Sequence, residues 1–289
     1  MTVPLVVTSA LVIFSPLQEG GTTHVAQMII RFLILAWAGG ALALSIRQGR
    51  LTIPLLSVRY FVLVFLGFAV IATMFSPYAH PSRQWLFTII CYATLFYLLV
   101  SFVDRWEHVH TLTIVVVLMG VGEAALTILQ GLVWNDMRPS GTFFNPNFLA
   151  GYLAVSWAIL LSAAVYGYRR TAALHWLPIS PTLWWFGVGA SLGSLFLAVL
   201  LTQSRGGMIV VLVATVFIVM ARYGWKVAGS CLVLLMVGGL LIPTPLRERV
   251  QAEHQQNPVS YARLQMWQGA LTQMAEHPLG IGLGLYQYT

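Results

Sequence analysis

Long apolar runs separated by short polar turns dominate the chain. Several runs reach the roughly 20 residues that a helix needs to cross about 30 Å of hydrocarbon. Lipid offers the backbone no hydrogen-bond partners, so these runs are expected to be helices. Spans are predicted at about residues 3–16, 25–46, 59–75, 84–103, 111–132, 143–166, 182–202, 207–221 and 226–242. The pattern therefore predicts an all-α fold, a polytopic transmembrane helical bundle with about nine spans.

The segment after the last predicted span, residues 243–289, has a different pattern. A helix over about residues 261–276 would place glutamines on one side and an apolar stripe on the other, formed by Leu264, Trp267, Leu271 and Met274. This predicts an amphipathic helix lying on the membrane or on the bundle. The chain thus divides into a transmembrane bundle, residues 1–242, and an outward-facing loop segment, residues 243–289, which ends in a glycine-rich turn.

Basic residues are concentrated in alternate loops, at residues 47–59, 105, 169–170 and 222–226, whereas the intervening loops carry mostly single arginines. Short loops rich in arginine and lysine stay in the cytoplasm. The N-terminus is therefore predicted inside, and residues 133–142, 203–206 and 243–289 outside.

Composition supports a membrane location, since 58% of the 289 residues are apolar and only 8% are charged, against about 25% charged in soluble domains. The net charge of +7 fits anionic lipids, an anionic substrate or simply the cytoplasmic loop bias. No basic run is dense enough for nucleic acid. Cys91 and Cys231 lie inside apolar runs, so neither a disulfide nor a metal site is expected. No Walker A motif is present, so ATP is not the expected energy source.

The first candidate segment for chemistry is Arg138 to Asn147. Asn145 is suited to cap the helix that follows, and Pro146 suits the first helical position. The segment is therefore either a well-made helix start alone or, with Arg138 and two asparagines at a helix N-terminus, an anion site.

The second candidate is the turn from Thr202 to Gly207, which includes Ser204 and Arg205 between two hydrophobic spans. Arg205 is either an interfacial arginine that reaches towards water or part of an anion site. Two glycines allow close backbone approach, a helix begins there, and a guanidinium grips phosphate oxygens bidentately.

The third candidate is Arg263, which falls within the apolar stripe of the predicted helix instead of on its glutamine side. A charge there needs a partner, either an internal carboxylate or a ligand anion. Glu123 and Arg31 lie within predicted spans, where ionisable groups are functional candidates by default. A mutual structural pair explains them equally well.

In this order, the segments resemble the bacterial O-antigen ligase and O-antigen polymerase family. Its pattern is G-T-F-x-N-P-N opening a span, an S-R-G turn, and an outward loop with R-x-x-x-W and P-L-x-G-x-G. The matching residues are 141–147, 204–207, 263–267 and 278–284. The resemblance covers residues 138–284, and the earlier spans match only in hydrophobicity.

The resemblance implies a glycosyltransferase of the bacterial inner membrane with an active site facing the periplasm or cell exterior. Such enzymes move a glycan from an undecaprenyl-diphosphate carrier to a hydroxyl of lipid A core, another glycan repeat or a protein, without metal or cofactor. The two arginines that hold the diphosphate in the family correspond to Arg205 and Arg263. Further substrate-site candidates are Arg138, Asn145, Asn147 and Ser204.

The family's proposed base, a histidine later in the outward loop, has no counterpart before Thr289. We expect that histidine and further spans beyond Thr289, and expect these residues alone to be inactive. The catalytic residue therefore has no assignment. If these residues were active alone, His254, Glu276 or His277 would be the suspects.

Three alternative functions stay open at this point. The first is a protein O-oligosaccharyltransferase of the same type. The second is a transporter or flippase for lipid-linked sugars, which should show charged or glycine-broken helices at mid-membrane. The third, a purely structural membrane subunit, leaves Arg263 unexplained.

Overall fold

The computed structural model describes residues 3–49, 58–167, 180–241, 258–277 and 280–285. Across these ranges the chain is helical, with no strand. The helices are α1 (Val3–Phe14), α2 (Leu17–Gly21), α3 (His24–Arg47), α4 (Arg59–Met74), α5 (Ala79–Phe102), α6 (Trp106–Leu132), α7 (Pro146–Ser162), α8 (Pro181–Leu201), α9 (Arg205–Tyr223), α10 (Trp225–Leu241) and α11 (Pro258–Glu276). A π-helical turn, Ala163–Gly167, continues α7.

The predicted all-α membrane fold is confirmed, because each predicted span coincides with one of the helices α1 and α3–α10. Among the described residues, six helices are long and apolar enough to cross a membrane: His24–Arg47, Ala79–Phe102, Trp106–Leu132, Pro146–Tyr166, Thr182–Leu201 and Arg205–Tyr223. The apolar helices Pro4–Phe14, Arg59–Met74 and Trp225–Gly238 are shorter. The number of nine spans therefore stays a prediction.

The helices form two compact units. Unit 1 consists of Met1–Gln27 and Arg105–Gln251, and unit 2 consists of Met28–Asp104 and Ala252–Thr289. The predicted division at residue 242 is one of membrane topology and stays a prediction.

In unit 1, α7 is the central helix. In the span Pro146–Tyr166, which contains α7, 44% of an 18-residue apolar stretch is buried, against 33% or less in the other candidate spans. Its buried side chains, such as Leu153 and Trp157, pack with Leu195 of α8 and Val211 of α9. The Trp157 indole donates a 2.9 Å hydrogen bond to Thr215 Oγ1 of α9. Small residues allow close crossings, since Gly120 of α6 lies directly against Ser156 of α7.

In unit 2, α4 packs against α5, and α3 contacts α5 through polar and aromatic groups. Arg31 of α3 donates a 2.6 Å hydrogen bond to Thr88 Oγ1. Its guanidinium carbon also lies 5.7 Å from the centre of the Phe87 ring. Trp37 meets Phe102 with ring centres 5.9 Å apart. Arg31 therefore has partners on α5, inside its own unit.

The predicted topology can be tested by cysteine labelling on a background lacking Cys91 and Cys231. Asn135 and Gln48 are both exposed loop residues, but the arginine distribution places them on opposite sides of the membrane. An impermeant maleimide added to intact cells should label Asn135→Cys and spare Gln48→Cys. Labelling of Gln48→Cys from outside, at the rate seen in lysed cells, would reverse the assignment of sides.

Candidate functional site

Two of the three candidate segments meet in unit 1. Arg138 donates from Nε to the Thr202 carbonyl at 3.2 Å and from Nη2 to Asn147 Oδ1 at 2.9 Å. Gln203 Nε2 donates in turn to the Met137 carbonyl at 2.8 Å. These bonds join the turn before α7 to the turn before α9, so Arg138 connects the two segments.

The start of α7 forms as the sequence predicts. Asn145 is extended, and its side chain accepts the Asn147 N–H at 2.8 Å. Pro146 occupies the first helical position, where its missing N–H costs nothing. Asn145 therefore has a confirmed capping role, and Asn147 is exposed beside it.

The start of α9 is built in the same way. Gln203 adopts a positive φ of 55°, which turns the chain sharply after α8. The buried Ser204 caps α9 by accepting the Gly207 N–H at 3.3 Å. Arg205 is the first residue of α9, and its side chain is exposed.

The two glycines after Arg205 have different surroundings. A Cβ atom at Gly207 would lie 2.6 Å from the Cβ of Ala150 in α7, whereas a Cβ at Gly206 would meet nothing within 4 Å. Close backbone approach was predicted for both glycines as a feature of a ligand site. The structure shows it only at Gly207, and there it serves contact between α7 and α9.

This arrangement places two helix N-termini side by side, since Gly207 and Ala150 both lie within the first two turns of their helices. Each N-terminus carries a partial positive charge and unpaired N–H groups. Asn147, Gly206 and the Arg205 side chain are exposed around them. Such an end of a helix pair favours an anion such as phosphate.

The 138–147 segment is also held by α6, through a contact that the sequence did not predict. Gln130 Oε1 accepts the Gly141 N–H at 2.8 Å, while its Nε2 donates to the Gly141 carbonyl at 2.9 Å. The buried Glu123 accepts the Thr142 N–H at 3.0 Å. The sequence offered one signal for this contact: Glu123 and Gln130 lie seven residues apart and therefore share one face of α6.

In unit 2, the glycine-rich turn after α11 packs on the loop between α4 and α5. Ser76 Oγ donates to the Ile281 carbonyl at 3.3 Å, and Ser82 Oγ lies 2.8 Å from Ser76 Oγ. Gly282 has a φ of 115° and approaches both serines so closely that a Cβ would overlap them. The predicted turn is therefore confirmed, and Gly282 is needed for packing.

Helix α11 forms where the amphipathic pattern predicted a helix. Its stripe is open, with Leu264 50%, Trp267 70%, Leu271 66% and Met274 69% exposed. Arg263 lies in this helix, but its side chain falls outside the described part of the structure.

The remaining candidates for a base are His254, Glu276 and His277. His277 and Gln273 line an open cavity of about 260 Å³ between α11 and the glycine-rich turn. Glu276, the residue before His277, is exposed. His254 lies outside the described residues. Within these ranges, no three His, Cys, Asp or Glu side chains gather as metal ligands would.

The fold and this site together define a multi-pass, all-helical membrane protein with paired helix N-termini and exposed basic and amide groups. A family model described as O-antigen ligase matches residues 190–289, and this part of the chain is therefore similar to that family. No curated protein and no solved structure matches the chain. The family is one of glycosyl-transfer enzymes, whose partners are in general a lipid-linked glycan and an acceptor.

The match confirms the resemblance drawn from the sequence motifs. Ser204, Arg205 and Arg263 lie within it, as does the glycine-rich turn. Arg138, Asn145 and Asn147 lie before residue 190 and are connected to it by the structure instead, through the bonds that Arg138 makes.

Proposed function

We propose that the protein is a glycosyltransferase that uses an undecaprenyl-diphosphate-linked glycan as its donor. It transfers or polymerises the glycan onto an acceptor hydroxyl at the periplasmic face of the bacterial inner membrane. The observation that carries the proposal is the meeting of the 138–147 segment with the 202–207 turn. Two helix N-termini and the exposed Arg205 converge there.

In this reaction the site must stabilise the leaving diphosphate. When the bond between the anomeric carbon and the diphosphate oxygen breaks, negative charge grows on that oxygen. Fixed N–H groups and guanidinium groups directed at this charge lower the barrier. We assign this role to Arg205 and, from the family pattern, to Arg263. Asn145, Asn147, Ser204 and Arg138 shape the helix ends around the diphosphate.

The acceptor supplies a hydroxyl oxygen that bonds to the anomeric carbon as the diphosphate leaves. Its proton passes to a general base, which we place outside the residues described. Direct displacement inverts the anomeric configuration. Undecaprenyl diphosphate and the glycosylated acceptor are the two products, and neither a metal nor a nucleotide takes part.

A protein O-oligosaccharyltransferase carries out the same donor chemistry and differs only in the acceptor. A flippase would move the donor intact. Of the basic residues at the site, Arg138 lies in the loop before α7 and Arg205 is the first residue of α9, so neither is mid-helix. This favours transfer over transport.

Proteoliposomes containing the full-length protein and a fluorescent donor distinguish the two activities. We expect undecaprenyl diphosphate to appear only when an acceptor is present, because transfer cleaves the donor. Undecaprenyl diphosphate and the glycosylated product are measured by mass spectrometry, with protein-free liposomes as the control. Donor that crosses the bilayer uncleaved, with no product at any acceptor concentration, would instead identify a transporter.

A further inference from the structure

Glu123 is a buried carboxylate, 4% exposed. Within the described residues, both of its side-chain oxygens are hydrogen-bonded to one residue, Thr142. Its Oε2 accepts the Thr142 N–H at 3.0 Å, and its Oε1 lies 2.6 Å from Thr142 Oγ1. Burying a carboxyl group is costly unless it is hydrogen-bonded. Here both oxygens are bonded to the segment that carries Arg138 and Asn147.

Gln130 contacts the same segment from the same face of α6, two helical turns later. Its side-chain amide bonds to both the N–H and the carbonyl of Gly141. Gly141 has a φ of 60°, and a Cβ there would lie 2.5 Å from Glu123 Oε2. Glycine is therefore the residue that allows both α6 side chains to reach the backbone of the segment.

A left-handed turn, α2, holds the segment from another side. Thr142 Oγ1 lies 2.7 Å from the Pro16 carbonyl, and the Phe143 ring packs against Gly20. Gln18 and Glu19 have positive φ values of 58° and 60°, a conformation that costs roughly 1–2 kcal/mol per L-residue. Such a turn persists only where its surroundings determine it, so the contacts with Thr142 and Phe143 fix both partners.

We propose that Glu123 and Gln130 are positioning residues for donor binding. They fix Gly141 and Thr142, and thereby set the position of Arg138 and of the α7 N-terminus relative to Arg205. The inference rests on the proposed function, since it assigns these residues to the same donor site. Neither residue touches the donor in this scheme, and both act through the 138–147 segment.

The hydrogen bonds of Thr142 suggest a conservative variant, Glu123→Gln. Its single hydroxyl hydrogen can be donated to the Pro16 carbonyl or to Glu123, but not to both. In Glu123→Gln, the new amide N–H can donate to Thr142 Oγ1 while the threonine donates to Pro16. The amide oxygen still accepts the Thr142 N–H. This variant therefore keeps every contact, whereas Glu123→Leu and Thr142→Val remove hydrogen-bonding groups.

Thr127 provides a matched control, because it lies on the same face of α6 and is fully buried. Within the described part of the chain, its hydroxyl donates to the Glu123 backbone carbonyl, at 2.6 Å. Thr127→Val therefore removes a buried hydroxyl from α6 without touching the segment. Thr142→Ser is the second control, since it keeps the hydroxyl.

The test combines amide hydrogen exchange with the Kd for undecaprenyl diphosphate, both measured on the full-length protein. In Glu123→Leu, Gln130→Leu and Thr142→Val, we expect exchange over residues 140–144 to speed up by about tenfold or more. Affinity for undecaprenyl diphosphate should fall by about fivefold or more, with kcat changed much less. Glu123→Gln, Thr142→Ser and Thr127→Val should match the wild type in both measurements.

Wild-type affinity in a folded Thr142→Val variant, or a Thr127→Val variant that loses affinity equally, would overturn the positioning role. If Glu123→Leu does not fold, Thr142→Val against Thr142→Ser still decides the matter. Failure of the proposed function is a different result, because the wild-type protein itself would then not bind undecaprenyl diphosphate.

Discussion

Replacing Arg205 by alanine should reduce glycan transfer by about tenfold or more, which corresponds to about 1.4 kcal/mol in the activation free energy. The side chain is exposed at the first position of α9, where we propose that it binds the donor diphosphate. Charge-assisted hydrogen bonds contribute about 1.5–3 kcal/mol each. Arg205→Lys should be impaired as well, because lysine keeps the charge but lacks the planar guanidinium.

The control for this prediction is Arg222→Ala, which removes an exposed arginine in the last turn of the same helix. It should leave transfer unchanged. Arg263→Ala should lower transfer as Arg205→Ala does, and the double variant should lose less than the sum if both arginines act on one diphosphate. Expression and monodispersity of each variant should match the wild type. Wild-type turnover in Arg205→Ala and in Arg263→Ala would leave these arginines as interfacial or structural groups.

The second large effect is on stability, at Gly207. Gly207→Ala should lower the free energy of unfolding by about 1–3 kcal/mol, the usual cost of overpacking, because its Cβ would overlap Ala150 of α7. Gly206→Ala is the matched control, since its Cβ would lie in open space. It should stabilise α9 slightly, as alanine favours a helix by about 1 kcal/mol over glycine.

Thermal unfolding in detergent, followed by circular dichroism, measures both glycine variants. The difference between the two midpoints isolates the contact between α7 and α9 from the general effect of replacing a helical glycine. Equal midpoints for Gly206→Ala and Gly207→Ala would mean that α7 and α9 do not cross at Gly207. The proximity of the two helix N-termini would then lose its support.

Features set by neighbouring residues were predictable from the sequence. The Asn145–Pro146 helix start follows from local capping geometry, and it forms as predicted. The apolar runs became helices because length and hydropathy alone decide this in lipid. The stripe of α11 was equally local, but which surface covers it was not, and the sequence left membrane and bundle as equal alternatives.

Features that depend on contacts between distant parts of the chain could not be predicted from the sequence. The local sequence does not identify Gly141 as the partner of Gln130, or Thr202 as the partner of Arg138. Glu123 was identified as an intramembrane ionisable group, but its partner Thr142 depends on how α6 meets the 138–147 segment. The positive φ values of Gln18 and Glu19 depend on tertiary contacts that override the local preference of these residues.

Gly206 offers the most direct test of the claim that the donor diphosphate binds where α7 and α9 begin. It is exposed beside Arg205 and has room for a side chain, so a photoreactive p-benzoylphenylalanine can replace it. Gly229 of α10, which is also exposed with open space around it, serves as the matched position. Illumination with a radiolabelled undecaprenyl-diphosphate glycan should label the protein at position 206, and unlabelled undecaprenyl diphosphate should abolish that labelling. Equal labelling at 206 and 229, or none at 206 in a variant that still transfers glycan, would contradict the account.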